Sequence, residues 1–266
     1  MNGQLPKVQI GGYEVTKLII GGNPFRGFSH ISAELNREML EYYTDERIIE
    51  ALLEAQRCGI NTFIARGDEH IMRVVRKLRN LGGTLQWIAQ TAPEIKDWRK
   101  NIRDILEHNP IAIYFHGGRT DELFCAGMIG ELIDAISFIH DAGLPAGIAT
   151  HMHEVIEFAE EHGLKADFYM ACFYNPRRPP GEVYLPQDRE RMCQTIRKTS
   201  KPCIAFKVLA AGRHCDTEEN LRSALKYAIE NIKPCDAIVV GVFQKYKNQI
   251  AEDVEIVKQL LCGCSS

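Results

Sequence analysis

Short apolar and β-branched runs alternate along the whole chain with stretches in which apolar residues recur every three or four positions. The runs are KLIIGG (17–22), INTFIA (60–65), LQWIAQ (85–90), IAIYF (111–115), PAGIA (145–149), DFYMAC (167–172), PCIAFK (202–207) and DAIVVG within 235–241. Between them the spacing predicts helices over 45–57, 69–80, 97–107, 130–141, 153–161, 187–198, 217–231 and 247–261. In the first of these, Ile48, Ile49, Leu52 and Leu53 make the apolar stripe, and Gly59 follows as a C-cap glycine should. Near the start, VQIGGYEV predicts a hairpin turning at Gly11-Gly12.

Eight strands alternating with eight helices require parallel pairing through right-handed crossovers. Closing eight such units gives an α/β fold, the (β/α)8 TIM barrel, with the hairpin of residues 1–16 ahead of it. An open doubly wound sheet would also alternate, but GGNPFRG after the first strand does not match the GxGxxG fingerprint. The 266 residues suit one such barrel, and no linker or low-complexity stretch divides them. Residues 262–266 are expected to form a flexible tail.

Composition narrows the partners. With 45% hydrophobic residues the chain can bury a full core without staples, and a net charge of −3 gives no footprint for nucleic acid. No stretch reaches the roughly 18 uninterrupted apolar residues of a membrane helix, and the N-terminus has no signal-peptide h-region. A cytoplasmic protein acting on a small molecule is the expectation. The nine cysteines fit it, being mostly scattered singly without a disulfide framework. Only Cys262 and Cys264 lie close together, and Gly263 occupies the place a prenylation box needs for its cysteine.

A barrel of this kind carries its active site where the strands end. The residues that follow the runs are therefore the candidates: Asn23-Pro24-Phe25, Arg66 to His70, Gln90-Thr91, His116 to Arg119, Thr150 to His153, Phe173 to Pro176, Lys207 and Gly241 to Phe243. Three of the intervening loops read as long, at 23–44, 116–129 and 173–185.

The order of segments resembles the aldo-keto reductase superfamily. The likeness runs from VQIGGYEVTKLIIGG through GINTFIARG, IAIYFHGG, GIATHMHEVIEFAEE, FYMACFYNP and IAFKVLAAGR to VVGVFQKYKNQIAEDVEIV. It implies the same barrel, and for that family an Asp, Tyr, Lys and His tetrad with a nicotinamide cofactor. This chain departs from that pattern. Ile64 stands at the Asp position, Glu69 at the Tyr position, Gln90-Thr91 where the Lys belongs, and only His116 matches. The Ser-Asn pair that would hold the nicotinamide reads Ala149-Thr150, a sixth-strand Gln falls at about Ala171, and the stacking Tyr is replaced by Phe206. The resemblance thus implies the scaffold without the hydride chemistry.

Acid/base chemistry is then read from the polar strand ends. The catalytic candidates are His116, Lys207, His70 and Glu69. Substrate-binding candidates are Asn23, Arg66, Asp68, Gln90, His151, Tyr174 and Asn175, with Asp68 also a good cap for the helix over 69–80. Gly241 and Lys245 are positioned for a phosphate-bearing ligand, NADP included. His151 and His153, two apart, are the spacing a metal would use, but no metal is expected because the later strands end in Cys172, Lys207 and Gly241. The expectation is a lyase, isomerase or hydrolase acting on a small polar carbonyl or sugar-like compound. The alternatives are an NAD(P)-dependent reductase with a rebuilt proton donor and a non-catalytic binding barrel. Oligomeric state leaves no trace in the sequence.

Overall fold

The computed structural model describes residues 4–178 and 183–263. Gly11 and Gly12 have φ of 55° and 86°, the paired left-handed backbone of a two-residue hairpin turn, and join β1 (Lys7–Ile10) to β2 (Tyr13–Thr16). The chain then alternates: β3 (Leu18–Gly21), α1 (Ala33–Tyr42), α2 (Asp45–Arg57), β4 (Thr62–Arg66), α3 (Glu69–Asn80), β5 (Gln86–Gln90), α4 (Trp98–Leu106), β6 (Ala112–Phe115), α5 (Gly117–Cys125) and α6 (Ile129–Asp141). It continues through β7 (Ala146–Thr150), α7 (His153–Glu161), β8 (Phe168–Cys172), α8 (Pro186–Lys198), β9 (Cys203–Phe206), α9 (Glu218–Asn231), β10 (Ala237–Gly241) and α10 (Gln249–Gly263). Strands β3 to β10 pair in parallel in chain order, and β10 closes on β3. The protein is a closed (β/α)8 barrel with a separate N-terminal hairpin.

The period of two along each strand sorts the core into two layers. Ile19, Ile64, Ile88, Ala149, Met170 and Val239 point inward and pack together, while Ile20, Phe63, Trp87, Ile113 and Ile148 point outward against the helices. Ile10 and Val15 of the hairpin join the inner cluster, so the hairpin plugs the bottom of the barrel. A Cβ on Gly11 would lie 2.3 Å from Pro145, just ahead of β7, which shows how closely the turn is seated. The hairpin thus closes the end of the barrel at which the strands begin.

Two helices lie inside segments that read as long loops. Helix α1 occupies part of 23–44, and α5 occupies most of 116–129. The reading missed α5 because it opens on Gly117-Gly118, each costing about 1 kcal/mol of helix propensity. Tertiary context supplies what propensity lacks: the His116 ring caps the helix by accepting from the Arg119 amide at 3.3 Å. Of the residues 262–266 expected as a tail, Cys262 and Gly263 belong to α10, and 264–266 lie outside those described. Among the described residues no helix is long and apolar enough to cross a membrane.

Buried polar groups tie the strand-end loops to one another. Asn101, fully buried on α4, donates to the Gly67 carbonyl at 2.7 Å and accepts from the Ala92 amide at 2.8 Å. Asn101→Ala leaves both backbone groups without a partner. It is expected to lower stability by about 1–3 kcal/mol, read as a fall in the urea midpoint at unchanged slope.

Candidate active site

The inward positions that end the strands surround a cavity of about 660 Å³. Arg66 follows Ile64, Gln90 follows Ile88, His116 follows Tyr114 and His151 follows Ala149, each two residues on and therefore on the same inner face. Asn23 and Gly241 reach the cavity in the same way from β3 and β10. Lys207 does not, because it follows inward-facing Phe206 and a regular strand would send it outward. Its left-handed backbone (φ 55°) breaks the alternation, and the side chain lines the cavity with its ammonium 5.8 Å from the centre of the Tyr184 ring.

The best-ordered chemistry is a carboxylate–imidazole pair. Asp121 projects from α5 and is 4% exposed. It accepts from the Thr150 hydroxyl at 2.5 Å, from the His151 amide at 3.3 Å and from His151 Nδ1–H at 2.8 Å. Those bonds fix the His151 tautomer and leave Nε2 with no hydrogen-bond partner among the described residues. Phe206 meets the imidazole edge-on at 5.6 Å. Burial lowers the pKa of His151, partly opposed by Asp121, so the ring is neutral around neutral pH. Asp121 was not among the sequence candidates. It lies 30 residues from His151 inside the unrecognised helix α5, and its only signal is a carboxylate one turn after the strand-end histidine.

On the neighbouring strand end, His116 accepts from the Arg119 amide through Nδ1, so its proton sits on Nε2. Burial pushes its pKa down to about 4, with His151 and Arg66 adding to the effect. His116 is thus a neutral hydrogen-bond donor. Tyr114, below it on the same face of β6, is buried and lines the cavity, and burial raises its pKa well above the usual phenol range. Its hydroxyl makes no hydrogen bond among the described residues, and it too was missed as a candidate. Arg66 is held by Asp68 at 2.9 Å and by Glu94, with the Phe28 ring 5.2 Å from its guanidinium carbon. Arg177 lines the cavity from the segment after β8, bonds Glu122 at 2.8 Å, and lies so close to Gly118 that a Cβ there would meet it at 2.4 Å.

Several sequence candidates fall outside the cavity. His70 accepts from Arg26 at 3.0 Å and donates to Asp45 at 2.9 Å, within a cluster completed by Arg73 and Lys77 between α2 and α3. Glu69 is exposed in the first turn of α3. Asp68 caps α3 by accepting from the Ile71 amide, and stands behind Arg66. Tyr174 is turned toward Tyr184 and His214, and the Asn175 side chain accepts from the Arg177 amide. Lys245 pairs with Glu38 at 2.6 Å on the surface. His153 pairs with Glu154 at the start of α7 and does not line the cavity beside His151. Among the described residues no group of three or more His, Cys, Asp or Glu gathers as a metal site would require.

The positions expected to hold a nicotinamide are also unsuited to it. Ala149 offers only a methyl group, the Thr150 hydroxyl is turned to Asp121, and Phe206 carries no polar atom. At the start of α10 the Phe243 and Ile250 amides are taken by the Gln249 and Gln244 side chains, and Ala251 by Asn248. Glu252 lines the cavity there, where a phosphate would meet like charge, and the buried Asp253 beside it adds no positive charge. These residues do not fit a dinucleotide phosphate.

No protein-family profile matches the chain, and no curated protein is similar to it in sequence. Solved structures share its architecture. The N-acetylmannosamine-6-phosphate 2-epimerase from Clostridium perfringens is similar over 92% of this chain and 92% of its own, at 14% identity and a TM-score of 0.54. The apo form of Gox0644 is similar over 97% and 94%, at 9% identity and a TM-score of 0.63. The Yersinia pestis dihydropteroate synthase in complex with a sulfonamide drug is similar over 98% and 99%, at 10% identity and a TM-score of 0.61. At such identities the likeness is one of fold, and chemistry has to be argued from the site.

Proposed function

We propose that this cavity is the active site of an enzyme that moves protons on a small polar carbonyl or polyhydroxy compound, as an isomerase, lyase or hydrolase. The observation that carries the reading is the buried Asp121–His151 pair, with Nε2 left over at a cavity wall. In this reading His151 takes a proton from a carbon or hydroxyl next to the carbonyl, and Asp121 stabilises the imidazolium that forms. The neutral His116 donates Nε2–H to the developing oxyanion, with Arg66 and Lys207 supplying positive charge beside it. Gln90, Asn23 and the Tyr114 hydroxyl orient substrate oxygens. His70 and Glu69, away from the cavity, have no part in the step.

The aldo-keto reductase resemblance is read here as one of scaffold, with the nicotinamide positions given over to other uses. NADPH and NADH at about millimolar concentration are therefore expected to leave tryptophan fluorescence unchanged. The activity itself is sought without knowing the substrate. A panel of aldoses, ketoses and 2-hydroxy and 2-keto acids is incubated with the protein in D2O and followed by proton NMR. Enzyme-dependent loss of a signal next to a carbonyl is the expected result. Micromolar NADPH binding with carbonyl reduction at about 1 per second or faster would replace this reading by that of a reductase.

A further inference from the structure

The cavity extends beyond the mouth of the barrel. Past Lys207 it runs between the segment 208–215 and the first turns of α10, three strands around the barrel from His151. Asp253 lines it there, 3% exposed. Its carboxyl oxygens accept no hydrogen bond among the described residues, although they face a space large enough to hold a ligand. The surroundings explain the isolation. Lys247, whose charge favours the Asp253 carboxylate, is held by Glu252 at 2.6 Å, the Cys215 thiol is turned to the Gly212 carbonyl, and Leu221 of α9 supplies apolar wall. A buried carboxyl left without donors is costly, and native structures rarely keep one without a use.

We propose that this end of the cavity binds the ammonium group of a small amine, held between Asp253 and Glu252. Charge argues for a cation. With Asp253 protonated the charges of Glu252 and Lys247 balance, so an anion finds no excess positive charge at this end, whereas an ammonium brings three donors to a carboxyl that has none and draws its ionised form. Burial pushes Asp253 up to about 8, with Glu252 adding to the shift and Lys247 opposing it. The carboxyl is therefore protonated around neutral pH, and each ammonium that binds displaces one proton to solvent. The groups that face it and set this balance are Glu252 on α10, Lys247 ahead of it and Cys215 across the cavity. This binding does not depend on the chemistry proposed for His151.

The test uses n-butylammonium chloride as probe, with butyrate and n-butanol as matched controls. Calorimetry in two buffers of different ionisation enthalpy, over about pH 6 to 8, reports affinity and protons released together. Saturable binding in the millimolar range is expected, with about one proton released and affinity rising about tenfold per pH unit below the titration of Asp253. Asp253→Asn should remove both the binding and the release. His151→Gln should keep both, so this outcome is read separately from the exchange assay. Absence of saturable binding up to about 100 mM, binding without proton release, or equal binding of butyrate would overturn the proposal. Should Asp253→Asn fail to fold, proton release and the pH slope of the unaltered protein decide it alone.

Discussion

His151→Gln lowers the rate of substrate proton exchange by about 10²–10⁴-fold, the range expected when a positioned general base is removed. Glutamine keeps much of the volume and a polar end, so the loss falls on kcat and leaves the fold intact. Asp121→Asn is expected to cost a similar factor by another route. The carboxylate accepts His151 Nδ1–H at 2.8 Å and the Thr150 hydroxyl at 2.5 Å, and an amide nitrogen turned toward the ring would favour the wrong tautomer. The pH profile separates positioning from mere structure. Burial lowers the pKa of His151, so the base stays unprotonated through neutral pH and the rate falls only on the acid side of the ordinary histidine range. Asp121 raises that pKa, and its removal moves the acid limb to still lower pH while kcat drops. A variant that lost activity through local unfolding would shift no limb. Unchanged exchange in both variants would sink the assignment of the base.

The second large effect is on stability. Trp87→Ala is expected to cost about 3–5 kcal/mol, which for a chain of this size lowers Tm by roughly 10 °C. Trp87 is fully buried on the outer face of β5, lies nearly parallel to Phe63 of the neighbouring strand at 6.4 Å, and donates to the Ala65 carbonyl at 3.1 Å. Truncation opens a void between barrel and helices and leaves that carbonyl with one bond fewer. Trp87→Phe retains most of the volume, and is expected to lose about 1 kcal/mol for the missing hydrogen bond. Urea unfolding checks both, and similar midpoints for the two variants would show that the ring volume is not what matters.

Much of the architecture could be read before any coordinates. Helices predicted over 45–57, 69–80 and 153–161 coincide with α2, α3 and α7, and all eight barrel strands fall within the predicted runs or one residue beyond them. The strand ends were also legible as a set, and Arg66, Gln90, His116, His151 and Lys207 do line the cavity. Position near a strand end does not by itself say which polar residue reaches the cavity. That criterion places His70 in the site, whereas Arg26 and Asp45 hold its ring outside the cavity, and it places Tyr174 there although the ring packs toward Tyr184 and His214. In the other direction it passes over Asp121, Tyr114 and Asp253.

What the amino-acid sequence determined by itself was the repeating unit: a run of strand length, a stripe at helical period, and caps such as Asp68 at a helix start and Gly59 past a helix end. These depend on interactions within about one turn or one strand, so they survive being read along a line. Period two even fixes which strand-end residues face inward once closure is assumed. The tertiary structure decided the pairings. Asp121 meets His151 only because α5 folds back against β7, and Asp253 is buried only because α10 packs against α9 and α2. Lys207 enters the cavity only through a left-handed backbone that no local propensity favours. Protonation and hydrogen bonding depend on neighbours brought together from distant parts of the chain, and closure of the barrel is what sets those neighbours.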